Sequence, residues 1–129
     1  MISLPLPVRV FLHTQATDLR KGFDALSGLV TTAFGQDPTS GHLFLFVNRR
    51  RDRLKILYWD HGDGLAIWYK RLERGSFQLP SAPCDAVSIE MTATQLSLIL
   101  SGIDLRSARQ RKRYQRPMPE AEKSIGAPL

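Results

Sequence analysis

The chain has 129 residues, 43% of them apolar and 23% charged, with a formal net charge of +6. That leaves room for one domain and one core of ordinary globular composition. A lone cysteine, Cys84, excludes an internal disulfide, no Cys/His metal spacing occurs, and no apolar run approaches the roughly 20 residues of a membrane helix. The lead Met1–Pro7 has no basic n-region, and Pro5, Pro7 and Arg9 interrupt any signal-type run. The expectation is a soluble, cytoplasmic protein with no membrane partner.

Val8–Leu12 reads as a short strand. Thr17 is placed to cap a helix over about Asp18–Phe34, in which Leu19, Phe23, Leu26, Val30 and Ala33 form one apolar stripe at alternating spacings of 4 and 3. Gly35 and Asp37-Pro38 end it. Leu43–Asn48 is a nearly all-apolar strand, so both of its faces are expected to be covered. Leu54–Asp60 and Leu65–Leu72 are the third and fourth strands. Their short connections, Asn48–Asp52 and His61–Gly64, favour antiparallel neighbours. Leu54, Ile56 and Tyr58 then face one side, and Lys55, Leu57 and Trp59 the other. Phe77–Pro80 is a candidate short extension of the sheet. Thr92-Ala-Thr-Gln95 matches a capping box and opens a helix to about Ser101, with Leu96, Ile99, Leu100 and Ile103 as its buried candidates and Gly102 as its stop. From Asp104 onward the apolar pattern fades, and Pro117, Pro119 and Pro128 exclude a long terminal helix.

The fold class expected is α+β: a small antiparallel sheet of four to five strands packed with two helices. The domain spans residues 1–105, and residues 106–129 form a basic, disordered tail.

Charge is unevenly placed. Residues 1–48 sum to zero, residues 49–55 carry +4, residues 70–74 carry +2, and residues 106–116 carry +6 with no acid. Such asymmetry points to a polyanionic partner more than the total does. The candidate nucleic-acid contacts are Arg49, Arg50, Arg51, Arg53 and Lys55 at a hairpin tip, Lys70 and Arg71 further on, and Arg106, Arg109, Arg113 and Arg116 in the tail. Arginine forks bind phosphate bidentately, and the tail cations recur at helical spacing, with Tyr114 available for stacking. The bland reading is a solvated turn and a solubilising tail. Tyr58, Trp59, Trp68 and Tyr69 are interleaved with the cations. Exposed, they stack bases; the two tryptophans are more readily assigned to the core.

Asp60, His61 and Asp63 place three potential cation ligands in four residues, although Asp-Gly here is first of all hairpin-turn chemistry. Asp18 and Asp24 lie six apart on the expected helix and make no dyad. His13 and His42 have no evident partner, and neither Ser81 nor Cys84 has a base placed by sequence. No catalytic site and no Gly-rich phosphate loop emerges.

Thr17–Val30, Gly41–Asp60, Gly64–Pro80 and Gln95–Asp104, with Arg-Lys-Gly-Phe-Asp at 20–24 and Tyr-Lys-Arg-Leu-Glu at 69–73, together carry a resemblance. The chain resembles the TnpB-type accessory protein, the second open reading frame of insertion-sequence-66-type bacterial transposable elements. The resemblance covers most of residues 2–105; the tail after Asp104 lies outside it. It implies a non-catalytic partner of the transposase encoded beside it, with no cofactor. Three hypotheses follow: a DNA-binding accessory factor; a protein-interaction module in which a face with Leu57, Trp59 and Trp68 docks the transposase or another copy of itself; and a metal-dependent nuclease built on Asp60, His61 and Asp63.

Overall fold

The computed structural model describes residues 8–102. In chain order the elements are β1 (Val10–His13), α1 (Phe23–Thr32), β2 (Leu43–Val47), β3 (Arg53–Asp60), β4 (Gly64–Arg71), β5 (Ser88–Met91) and α2 (Ala93–Ser101). The strands form one sheet in the order β4-β3-β2-β1-β5. Helix α1 covers one face; α2 and the irregular segment after β4 cover the other. The α+β architecture of five strands and two helices is the one expected. Three of the four pairings are antiparallel. The exception is β1 with β2, which run parallel, Phe11 opposite Phe44. A helix between two strands returns the chain to the end where it began, so the crossover through α1 makes that pair parallel.

Alternation divides the core. Leu54 and Ile56 on β3 meet Leu45, Val47, Leu96, Ile99 and Phe77 on the α2 side. Leu57 on the same strand meets Phe44, Phe46, Leu26 and Val30 under α1. On that side Phe11, Phe34, Phe44 and Phe46 pack ring against ring, Phe11 stacked on Phe44 at 5.6 Å and Phe34 edge-on to Phe46 at 5.6 Å. Both faces of β2 are covered, as its unbroken apolar run demanded.

Two elements differ from expectation. Helix α1 starts at Phe23, with Gly22 as an N-cap that offers no side-chain bond. Asp18 takes the backbone amide of Arg20 at 3.0 Å, and the Lys21 amide returns to the Asp18 carbonyl at 3.2 Å. This Asx-type turn competes with the helix and wins its first turn. Thr17 is therefore no cap; it is buried, its amide bonded to the Val47 carbonyl at 2.9 Å. Phe23, assigned to the apolar stripe, is 48% exposed at the helix start. The fifth strand is Ser88–Met91, not 77–80. Phe77 instead plugs the α2-side core from a loop, fully buried. By contrast, the capping box at Thr92 and Gln95 forms with both of its bonds, and Gly102 ends α2 in the left-handed region, as read from sequence.

Candidate nucleic-acid interface

The β2–β3 turn carries the arginine run, and its shape comes from Asn48. The Asn48 side-chain oxygen accepts the amides of Asp52 (3.1 Å) and Arg53 (3.0 Å), and its amide group donates to Asp52 Oδ1 at 2.7 Å. Arg51 adopts φ +61°, a left-handed conformation that costs roughly 1 kcal/mol for a residue with a Cβ. Two bonds from the next segment hold it there: the Phe77 amide to the Arg51 carbonyl and the Leu72 amide to the Asp52 carbonyl, each 2.7 Å. Leu72 and Phe77 are themselves core residues. The turn is thus braced from inside by one side chain and from behind by a buried strap.

Around this frame the cations separate. Arg49, Arg50 and Arg53 line an open cleft of about 570 Å³ opposite the loop that carries Asp18 and Arg20, with Tyr69 in its wall. Arg51 lies elsewhere, beside the 78–86 loop. The side chains of Arg49, Arg50 and Arg51 are exposed and carry no ion pair among the described residues. Among the described residues the Arg53 guanidinium reaches the Tyr69 hydroxyl, at 3.5 Å, and Arg53 stands directly across the ladder from Arg71. Arg71 is answered by Glu73 at 3.0 Å. Lys55 is half-buried, donates to the Lys21 carbonyl at 3.0 Å and lies over the Tyr69 ring, 5.0 Å from its centroid. Lys70 is on the other face of the sheet and donates to the Leu100 carbonyl at 3.3 Å, in the last turn of α2, where a cation satisfies the helix end. Arg106, Arg109, Arg113 and Arg116 lie outside the described residues.

The structure adds Arg20 to the cleft. It clasps Asp18 through Nε and Nη2, the shortest contact being 2.7 Å, and hydrogen bonds from its side chain and backbone hold the Asp18 carboxyl well below the usual carboxylate range. Composition hid Arg20 because the first 48 residues sum to zero. Its position in the Arg-Lys-Gly-Phe-Asp motif was the available signal.

Several expectations are corrected. Trp59, on the internal strand β3, is half-buried, and Trp68 is 40% exposed because β4 is the outermost strand among the described residues. Trp68 sits opposite Ile56, so it is on the α2 side, whereas Leu57 is sealed under α1. The docking face of Leu57, Trp59 and Trp68 therefore does not exist as one surface. At the β3–β4 turn, His61 (φ +52°) and Gly62 (φ +74°) show the positive angles of a type I′ hairpin turn, and His61 Nε2 lies 3.4 Å from Asp60 Oδ1. Among the described residues no three His, Cys, Asp or Glu side chains gather to hold a metal ion. The proposed metal cluster of Asp60, His61 and Asp63 is an ordinary turn. His13 and His42, which had no evident partner, both have one: His13 Nδ1 is 2.9 Å from the Gln15 carbonyl, and His42 Nδ1 accepts the Arg9 amide at 3.0 Å. No helix among the described residues is long and apolar enough to cross a membrane.

Residues 8–110 match the family model of the IS66 Orf2-like proteins. The chain belongs to that family. It is 42% identical over 99 residues to the uncharacterized protein y4hO of Sinorhizobium fredii (strain NBRC 101917 / NGR234), covering 77% of this chain and 84% of that one. It is 36% identical over 117 residues to y4jC of the same strain, covering 91% of this chain and 97% of the relative. No solved structure gives a significant match. Membership in the IS66 Orf2-like family supports an accessory role in transposition. The family match also runs to residue 110, so the resemblance does not stop at Asp104 and takes in Arg106 and Arg109.

Proposed function

We propose that this IS66 Orf2-like protein is a non-catalytic accessory factor of DNA transposition that acts in the cytoplasm, binds DNA through the Arg49–Arg53 turn and works beside the transposase of its element. The observation that supports the reading is the turn itself: Arg49, Arg50 and Arg51 are exposed and have no ion pair among the described residues, on a backbone braced by Asn48 and the 72–77 strap. Arginines held on a rigid frame lose less freedom when they meet phosphate. Arg53 and Arg71 add charge on the α1-side face, and the tail arginines extend the same sign. Lys55 and Lys70 are committed to backbone carbonyls and serve as structural ties.

Phosphate contacts release counterions, so affinity falls with salt by close to one power of salt concentration per contact. A gel shift with the terminal repeats of the element, with and without transposase, tests the reading. Changing Arg49, Arg50 and Arg51 to Ala is expected to shorten the salt slope by about three units. An unchanged slope removes the turn from the interface. A second reading, a protein-interaction module or homo-oligomer without nucleic-acid contact, is favoured by the free edge of β4 with its exposed Trp68 and Tyr69. Co-purification with transposase that persists at high salt, with no DNA shift, selects it.

A further inference from the structure

We infer that the cleft between the Asp18–Arg20 loop and the Arg49–Arg53 turn takes one nucleotide of single-stranded DNA, its base against Tyr69 and its phosphates against the arginines. This rests on the nucleic-acid reading above and sharpens it, because it names the form of DNA that the site prefers.

At about 570 Å³ the cleft falls within the roughly 300–1,000 Å³ typical of small-ligand sites. Four arginines (Arg20, Arg49, Arg50 and Arg53) line it against two aspartates. Both acids are already engaged: Asp18 by Arg20, and Asp52 by the Asn48 amide. Hydrogen bonding leaves both carboxylates charged, but four cations against two anions make the lining net positive. Among the described residues Arg49 and Arg50 have no anion of their own, and Arg20 clasps Asp18 through Nε and Nη2 and not through Nη1.

Tyr69 supplies what a phosphate site alone does not need. It is 47% exposed although it belongs to a strand, and Lys55 and Arg53 fix it from two directions, one over the ring and one at the hydroxyl. With Lys55 over one face of the ring, the other face is the one offered to a base. In a duplex the base faces are already stacked and only edges are offered, whereas an unpaired strand presents ring faces and flexible phosphates together. An exposed aromatic among arginines is accordingly a single-strand feature, and strand separation at an element's ends is a step in which such a site would act.

The test is fluorescence anisotropy of the full chain with a labelled oligothymidine and with a labelled blunt duplex, each titrated over salt. The single strand is expected to bind about tenfold more tightly, on the scale of one base–aromatic stack. Tyr69→Ala removes that preference by weakening single-strand binding about tenfold, with the salt slope and the duplex affinity unchanged, and Tyr69→Phe keeps it. If Tyr69→Ala does not fold, Tyr69→Leu makes the same test, since it fills the site without a π face. Equal affinity for both DNAs with a neutral Tyr69 variant overturns the cleft assignment and leaves duplex binding by the turn standing. Binding of neither DNA overturns this inference together with the reading on which it rests.

Discussion

Strand β3 is bounded by two tight turns that are built differently. Both carry charged residues, and both contain a non-glycine residue at positive φ, Arg51 in one and His61 in the other. The Asn48–Arg53 turn is held by three bonds from the Asn48 side chain and by two backbone bonds to a buried strap. The His61–Asp63 turn has the Asp63 amide on the Asp60 carbonyl at 3.2 Å, as the other turn has the Arg51 amide on the Asn48 carbonyl at 3.0 Å, and beyond that an exposed His61–Asp60 contact. A hairpin turn needs only its local geometry to reverse the chain. The extra bracing at one end of β3 fixes the backbone from which the arginines project, and that is a reason to look for function there and not at the acidic end.

The comparison breaks first at the strap. Phe77 is fully buried on the α2 side while its amide holds the Arg51 carbonyl. Phe77→Ala is expected to cost about 3–5 kcal/mol, the usual range for emptying a core aromatic site, read as a lower denaturant midpoint. Hydrogen exchange at Leu72 and Asp52 should accelerate with it, whereas Asp63 should follow only the global change. Next comes Asn48→Ala, which strips three bonds from one turn and leaves the other untouched. A loss of about 1–3 kcal/mol is expected, together with faster exchange of the Asp52 and Arg53 amides. If DNA affinity then falls although every arginine is present, the bracing matters for binding and not only for folding.

These two residues also show what could be read from sequence. The paired strands β3 and β4, their alternation and the α2 capping box were legible because periodicity and local turn chemistry decide them. The cation cluster at 49–53 was legible as composition. Its division was not: Arg51 stays out of the cleft that Arg49 and Arg50 line, Lys70 falls on the opposite face, and Arg20 arrives from a loop 28 residues before Asn48. Those facts depend on the parallel crossover and on sheet order, which pair patterns do not encode. The late start of α1 was missed for a local reason, since Asp18 and Thr17 favour both a cap and an Asx turn, and only packing chooses.

The acidic turn offers a smaller test. His61→Gly places the permissive residue at φ +52° and removes left-handed strain, offset in part by the entropy glycine gives the unfolded chain. The expected gain is under about 1 kcal/mol in a denaturant melt. DNA binding should not change, and a loss of binding would show that the two turns act together.

The smallest effect is in pH, and it separates the arginine–carboxylate clasps from the free arginines. Glu90 is held below its ordinary 4.5 by the side-chain hydrogen bonds of Arg9, and Asp18 below its ordinary 3.8 by those of Arg20. A carboxylate whose folded pKa is depressed stabilises the fold above its unfolded pKa, and the contribution is lost as pH falls through the folded value. Stability should therefore be flat above about pH 5 and decline below about pH 4, where the unfolded chain takes up protons first. Both pairs are exposed, so salt screening keeps the decline shallow. Glu90→Gln should flatten part of it at the β5 edge without touching DNA affinity. Asp18→Asn should flatten the other part and also release Arg20 into the cleft, so that DNA affinity measured at neutral pH rises modestly. A rise with Glu90→Gln as well would mean that overall charge, and not the cleft, governs binding.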